Sequence, residues 1–476
     1  MTTIDTIQHR LGAALQLAGL ADDQELATRI RDEGHRFVFL LNGLVRATRL
    51  YELDNQALDA PAAELAGVLS GLLDRLGAVH LVCVEDQVYV NDVRLRVRSS
   101  EQPVVDQLVA DMGRHEAGGL SFHQGLDSDG WKRVAQALGS SPEGPQPARA
   151  LLARLQDIAD IEVSGRWRFR IGDDDRSGPQ RYADVLGRAA VALREALGRL
   201  AAGRMPNPLP VRRAVIDLVE SLESRPERAA AAPFAGPADL GGAERHLLSV
   251  CELSLMLGRS LGLSRAALSD LGVAAMFHDV GYLRPETRDS HALAGTRLLL
   301  RQRGFSEAKV LRLLAVLEHH ADYLDMERDE PPSLFARILR LAEDYDLLIA
   351  PRSGPLGSLP PSKALATIWA GRAGRYDPIL VALFAQALGM YPAGTLLELT
   401  DGCWAVAVGA GRDRARFAHP LVRRVREADG SLATASDPVD LFAQRAKIRA
   451  RRIVDPALVT ADVGGACRSA LAEAVA

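Results

Sequence analysis

Between residues 244 and 390 every substantial segment of the chain repeats its apolar residues at helical spacing, and five of the helices read there carry an imidazole or a carboxylate on the apolar stripe. A chain with this pattern folds into a helical bundle, and polar groups on inner faces must meet inside it. His246 leads Val250, Leu253 and Leu257 at i+4, i+7 and i+11. His278 and Asp279 end a helix whose inner face is Leu268, Leu271 and Ala275, and His291 opens one on the stripe of Ala294, Gly295 and Leu298. His319 and His320 end a helix with Val310, Leu313 and Leu317 inside. From Ser333 to Ile349, Leu339, Glu343 and Asp346 share one face. Five of the 11 histidines thus fall between positions 246 and 320.

Any one of these histidines alone is more often a cap or a hydrogen-bonded core residue than a ligand. Burying several imidazoles and carboxylates together is costly unless a cation or a complete hydrogen-bond network compensates, and the pattern alone leaves both open. If a cation is held, nitrogen and carboxylate donors together suit first-row metals such as iron or manganese. Seven candidate ligands exceed one tetrahedral zinc and suggest two divalent ions, an arrangement suited to phosphoester hydrolysis.

The rest of the chain bounds that reading. At 476 residues it has room for several domains, and 57 basic against 61 acidic residues argue against a nucleic-acid polymer or an acidic membrane as partner. Cys83, Cys251, Cys403 and Cys467 lack the spacing of a disulfide scaffold or a zinc ribbon. No apolar run approaches the roughly 18–20 residues that cross a bilayer, and no signal peptide is read, so a cytoplasmic protein is expected. The expected fold is multidomain. An N-terminal α/β module over residues 1–172, for sensing or docking a protein partner, precedes an all-α helical domain over 181–395 with a linker at 225–243. A β-strand appendage over 396–442 and an Arg-rich helical tail over 443–476 follow. In the first module Val79–Val84 and Gln87–Val90 predict a hairpin, and alternation predicts strands across Val93–Val97 and Trp167–Ile171. Asp401-Gly402 predicts a second hairpin, and Asp429-Gly430 a further strand pair.

The order His246, His278-Asp279, His291, His319-His320 and then Glu343 resembles the HD superfamily of metal-dependent phosphohydrolases, and more narrowly its HD-GYP branch, whose studied members hydrolyse cyclic di-GMP. RHLLSVCELSLMLGRSLGLS, LGVAAMFHDVGY, HALAGTRLLL and LFARILRLAEDYDLL are similar to its ligand-bearing helices, and the resemblance covers about residues 181–430. It implies that His246, His278, Asp279, His291, His319, His320 and Glu343 bind two metal ions, with Asp279 bridging and His278-Asp279 at the centre of catalysis. It also implies that Arg352 clamps a phosphate.

Departures from the family are specific. Glu343 stands where the family has Asp, and Tyr282 where the family has a lysine thought to contact the scissile phosphate; tyrosine can donate a hydrogen bond there but brings no charge. ADYLDMERDEPP replaces the DGxGYP element, Gly354 an aromatic near Arg352, and Gly242 a further metal-binding glutamate, with Glu244 nearby. The expected function is hydrolysis of cyclic di-GMP or a related small phosphorylated nucleotide. The alternative is an HD-fold signalling protein that binds metal, nucleotide or a partner protein without turnover. The arginines at 412–426 alternate with apolar residues and read as a solvated strand face, and those at 445–452 as the polar side of the tail.

Overall fold

A computed structural model describes residues 23–84, 87–91, 93–95, 97–98, 101–142, 144–166, 178–224, 241–284, 290–301, 307–324, 330–349, 359–409, 414–433, 437–455, 459–460, 462–463, 466–467 and 469–471. The chain forms two compact units, one of residues 1–174, 196–210 and 299–310, the other of 175–195, 211–298 and 311–476.

In the first unit, α1 (Asp23–Ala47) and α2 (Asp59–Leu76) precede β1 (Val79–Val84), β2 (Gln87–Val90) and β3 (Val93–Arg94). Then come α3 (Gln102–Arg114), β4 (Ala117–Phe122), α4 (Ser128–Gly139), α5 (Pro147–Gln156) and β5 (Ile161–Gly165). The strands form one antiparallel sheet in the order β3-β2-β1-β4-β5. Period-2 alternation splits β1 between two faces. Val79 and Leu81 join Phe37, Leu65, Phe122 and Trp131 in the main core, while Val82 and Val84 pack with Leu209. On the latter face His80 lies opposite Ser121, and its Nδ1 is 2.8 Å from the Ser121 hydroxyl, so the buried pair is satisfied. Asn91, at φ 55°, ends β2; its side chain accepts from His80 N and donates to the Ala78 carbonyl, fixing the register. The strand expected across Val93–Val97 is cut to Val93–Arg94, and the one expected at Trp167–Ile171 lies outside the described residues.

The second unit carries the helices: α6 (Gly178–Ala201), which runs on into the first unit, then α7 (Pro208–Ser224), α8 (Gly242–Ser260) and α9 (Arg265–Phe277). They are followed by α10 (His291–Leu299), α11 (Glu307–Glu318), α12 (Leu334–Ile349), α13 (Pro361–Ala370) and α14 (Pro378–Leu388). Every residue of α8 from Leu247 to Gly258 is buried, so this helix is the axis against which α9, α12 and α14 pack. Ser264 caps α9 and Asp377 caps α14, each accepting from the first-turn backbone. Most of the expected linker, residues 225–240, lies outside the described residues.

A second antiparallel sheet closes the chain, with β6 (Leu396–Leu399), β7 (Trp404–Gly409), β8 (Leu421–Arg426), β9 (Val439–Asp440) and β10 (Ala450–Ile453) in the order β10-β6-β7-β8-β9. The Asp401-Gly402 hairpin forms as expected, with Gly402 at φ 86°. The strand pair expected around Asp429-Gly430 forms as β8 and β9, with Leu421 opposite Asp440 and Val422 opposite Val439, and Arg426 bridges Leu432 inside it. The tail departs from the helical expectation, because residues 450–453 add a strand beside β6. Arg451 and Arg452 reach Glu398 at 3.0 and 2.7 Å, and these ladder and ion-pair contacts outweigh a helical preference read mainly from arginines. The described residues beyond 461 are helical. On the Arg-rich surface, Arg416 and Arg445 stack on the Phe442 ring, and Arg426 lies over Trp404. Among the described residues no helix is long and apolar enough to cross a membrane.

Candidate metal centre

Five chain segments deliver polar groups to one point in the second unit. α8 presents His246 in its first turns. α9 ends at its C-cap His278, and Asp279 follows at the start of a one-turn 3-10 helix, Val280–Leu283. α10 opens with His291, His319 and His320 follow the end of α11, and α12 contributes Glu343. The turn after Asp279 fits against α10 only because residue 281 is glycine. A Cβ on Gly281 would stand 1.9 Å from the His291 carbonyl oxygen.

Asp279 is the shared member of two groups. Its Oδ2 faces His246 Nε2 and His278 Nε2, both at 3.6 Å, while its Oδ1 faces His291 Nε2 at 3.3 Å and His319 Nε2 at 3.7 Å. His246, His278, Asp279 and Glu343 each offer one donor atom within 4.8 Å of the others; so do Asp279, His291, His319 and His320. Both sets mix imidazole nitrogen with carboxylate oxygen, as first-row divalent metals prefer. His278 Nε2 and Glu343 Oε2 are buried without a hydrogen-bond partner, so the protein alone leaves polar atoms unsatisfied there. The residues on each side of Asp279 fit a metal cation.

The rings are oriented from behind. Nδ1–H of His278 donates to the Ala275 carbonyl and that of His319 to the Val316 carbonyl, both at 2.7 Å. His246 Nδ1 donates to Asp346 Oδ2 at 2.7 Å, and the Ser249 hydroxyl donates to the other Asp346 oxygen. Each bond places the proton on Nδ1 and turns the Nε2 lone pair toward Asp279.

Burial holds the His278 and His320 rings neutral, each pushed down to about 3. Burial opposes the charge on Asp279, but the imidazoles of His278, His291 and His319 that face it hold its carboxyl well below the usual carboxylate range. Glu343 goes the other way: burial, then the nearby Asp279 and Asp344 charges, pushes it up to about 9. Two carboxyls at one site thus sit in opposite protonation states until a cation enters.

Of the residues singled out from the sequence, the seven candidate ligands converge. Glu343, with its extra methylene, still reaches His246, His278 and Asp279. Tyr282 stacks on His291, ring centroids 4.1 Å apart and planes 14° from parallel, and keeps nearly half its surface in solvent. Arg352 and Gly354 lie outside the described residues, as does part of the segment that replaces the DGxGYP element. Glu244 stays away from the cluster, held by Arg194 and its own capping contact with Gly241 N. Sequence reading missed the orienting roles of Asp346 and Ser249. Their signal was spacing, since Asp346 lies i+3 from Glu343 and Ser249 i+3 from His246. Arg340, also unassigned from sequence, donates to His320 Nδ1 at 3.0 Å.

The helical bundle sets an aspartate between two histidine groups, a donor set that suits metal, and residues 244–348 match the HD domain family. Residues 244–348 thus form an HD-type domain. It is 28% identical over 179 residues to the cyclic di-GMP phosphodiesterase PA4108 of Pseudomonas aeruginosa. The match covers 33% of this chain and 42% of that enzyme, so the chain spans less than half the length of this curated relative. Among solved structures it is similar to Bd1817, a HDG"Y"P protein from Bdellovibrio bacteriovorus, at 13% identity and a TM-score of 0.38 over 65% of this chain and 94% of that one.

Proposed function

We propose that the chain is a metal-dependent phosphodiesterase acting on cyclic di-GMP or a related small phosphorylated nucleotide. The observation that carries this reading is Asp279, whose two oxygens face separate histidine groups. His246, His278 and Glu343 would hold one ion, and His291 and His319, with His320 beside them, the other. Bound there, two divalent ions supply an activated water and neutralise the charge of a phosphodiester. The chain's own residues orient the ligand rings through Ala275, Val316 and Asp346, keep Asp279 ionised, and partly bury the cluster, which strengthens its charges relative to water. Tyr282, stacked on His291 and nearly half exposed, is proposed to meet the nucleotide. Arg352 is proposed, on the resemblance alone, to clamp a phosphate. The N-terminal sheet-and-helix unit is proposed as a sensing or docking module.

A second reading is favoured by Tyr282 itself. A neutral phenol in place of a lysine cannot supply charge to a leaving group. An HD-type signalling protein that binds metal and nucleotide without turnover would use the same geometry.

Elemental analysis of protein purified without chelator, with phosphodiesterase assays of wild type and Asp279→Ala on mono-, di- and cyclic nucleotides, separates the readings. The catalytic reading requires bound first-row metal and activity lost in the variant. Nucleotide binding by calorimetry without hydrolysis over hours supports the second reading. Metal-free wild type overturns the metal centre.

A further inference from the structure

The four rings whose Nδ1 contacts are described are not held alike. Those of His246, His278 and His319 each meet an acceptor: Asp346 Oδ2, the Ala275 carbonyl and the Val316 carbonyl. His320 Nδ1 meets Arg340 Nη1, at 3.0 Å. A guanidinium carries only donors, so His320 Nδ1 is the acceptor and the proton of the neutral ring sits on Nε2. That nitrogen lies 2.9 Å from His291 Nε2, to which it donates. A protonated nitrogen has no lone pair for a cation, and here it also occupies the lone pair of a second candidate ligand.

Arg340 is not free to withdraw. It is 9% exposed, its Nε lies 3.1 Å from Asp344 Oδ2, and Nη2 is 3.5 Å from Asp322. Asp344 is itself held by Arg375 at 3.0 Å and by the Tyr376 hydroxyl at 2.8 Å. For His320 to bind a metal through Nε2, the ring must shift its proton to Nδ1, where Arg340 now donates, and a buried guanidinium must give up its hydrogen bond. Outer contacts to a ligand histidine normally assist metal binding by accepting its second proton; this one opposes it.

We propose that Arg340 is a positioning residue that keeps His320 off the second metal, so that Asp279, His291 and His319 hold their cation more weakly than His246, His278, Asp279 and Glu343 hold theirs. The proposal rests on the two-metal reading of the centre. It makes the chain a protein with one resident ion and one exchangeable ion, the second site filling only as the free metal concentration rises.

The test is calorimetric titration of Mn(II) into the metal-free 476-residue chain, for wild type, Arg340→Met, His320→Ala and the double variant. Wild type shows one tight and one weaker site. Arg340→Met tightens the weaker site by about ten-fold, within the range that outer-contact changes move metal affinity, and leaves the tight site as it was. His320→Ala leaves both wild-type affinities unchanged but abolishes the gain in the double variant. Two equal sites in wild type, or a second site weakened as much by His320→Ala in wild type as in the Arg340→Met background, overturns the proposal. Independently of any variant, nitrogen-15 NMR of the metal-free histidines reads the tautomer: His320 protonated at Nε2 is expected, and at Nδ1 overturns it. Absence of Mn(II) binding at either site overturns the two-metal reading itself.

Discussion

Asp346 grips the ring of His246 across two helices, its Oδ2 2.7 Å from Nδ1. That bond fixes both the tautomer and the tilt of a ring that Ser249 supports only through the same carboxylate. Asp346→Ala is expected to cut affinity for the tighter ion about 10–100-fold while leaving the helical content unchanged. Asp346→Asn, which can still accept through its amide oxygen, is expected to lose less. Metal titration alongside far-UV circular dichroism checks both.

Gly281 is the second point of control. A methyl group there meets the His291 carbonyl, and backbone cannot rotate aside as a side chain can. Gly281→Ala is expected to push the start of α10 away from Asp279, cost about 1–3 kcal/mol of stability and abolish binding at the ion held by His291 and His319. Urea denaturation gives the first number and metal stoichiometry the second.

Glu343 sets the pH dependence. Held at about 9, it is protonated at pH 7, whereas a ligand carboxylate must be ionised, so loading the tighter site releases its proton. Apparent affinity should therefore rise about ten-fold per pH unit below pH 9 and level off above it. His278, already neutral above about 3, adds nothing to that slope. The metal-free fold shows the opposite trend. Glu343 in the unfolded chain binds fewer protons than in the native one between its ordinary 4.5 and about 9, so stability falls as pH rises through that window. Calorimetry in two buffers of different ionisation enthalpy counts the released proton, and Glu343→Gln should remove it.

In the first unit, Trp131 is fully buried, 5.3 Å from Phe122 and 5.7 Å from Phe37 between ring centroids. Trp131→Ala is expected to cost about 3–5 kcal/mol, since the aromatic cluster cannot collapse into so large a space. Equilibrium denaturation followed by circular dichroism tests it.

The centre was legible in the sequence because its ligands sit on regular apolar periods. His278 at the end of one stripe and His319 at the end of another declare both their helix and their inward face. Asp346 was visible on the same face as Glu343, but spacing alone does not say which carboxylate reaches the metal and which holds a ring. That distinction depends on the approach of α8 to α12. Arg340 gave no signal at all, because a buried arginine and a solvated one look alike in a helical pattern. The tail misled for a related reason. Residues 450–453 have no pattern that marks a strand until Glu398 and the edge of β6 stand beside them.

That edge has a consequence in time. Glu398 and Arg452 are 54 residues apart, so during synthesis β6 emerges roughly 3–11 s before the strand that covers its outer side, at about 5–20 residues per second. Throughout that interval the nascent sheet has one flank open, a row of unpaired amides and carbonyls of the kind that templates strand addition. The two arginines that later close on Glu398 fasten the chain's own strand over that flank.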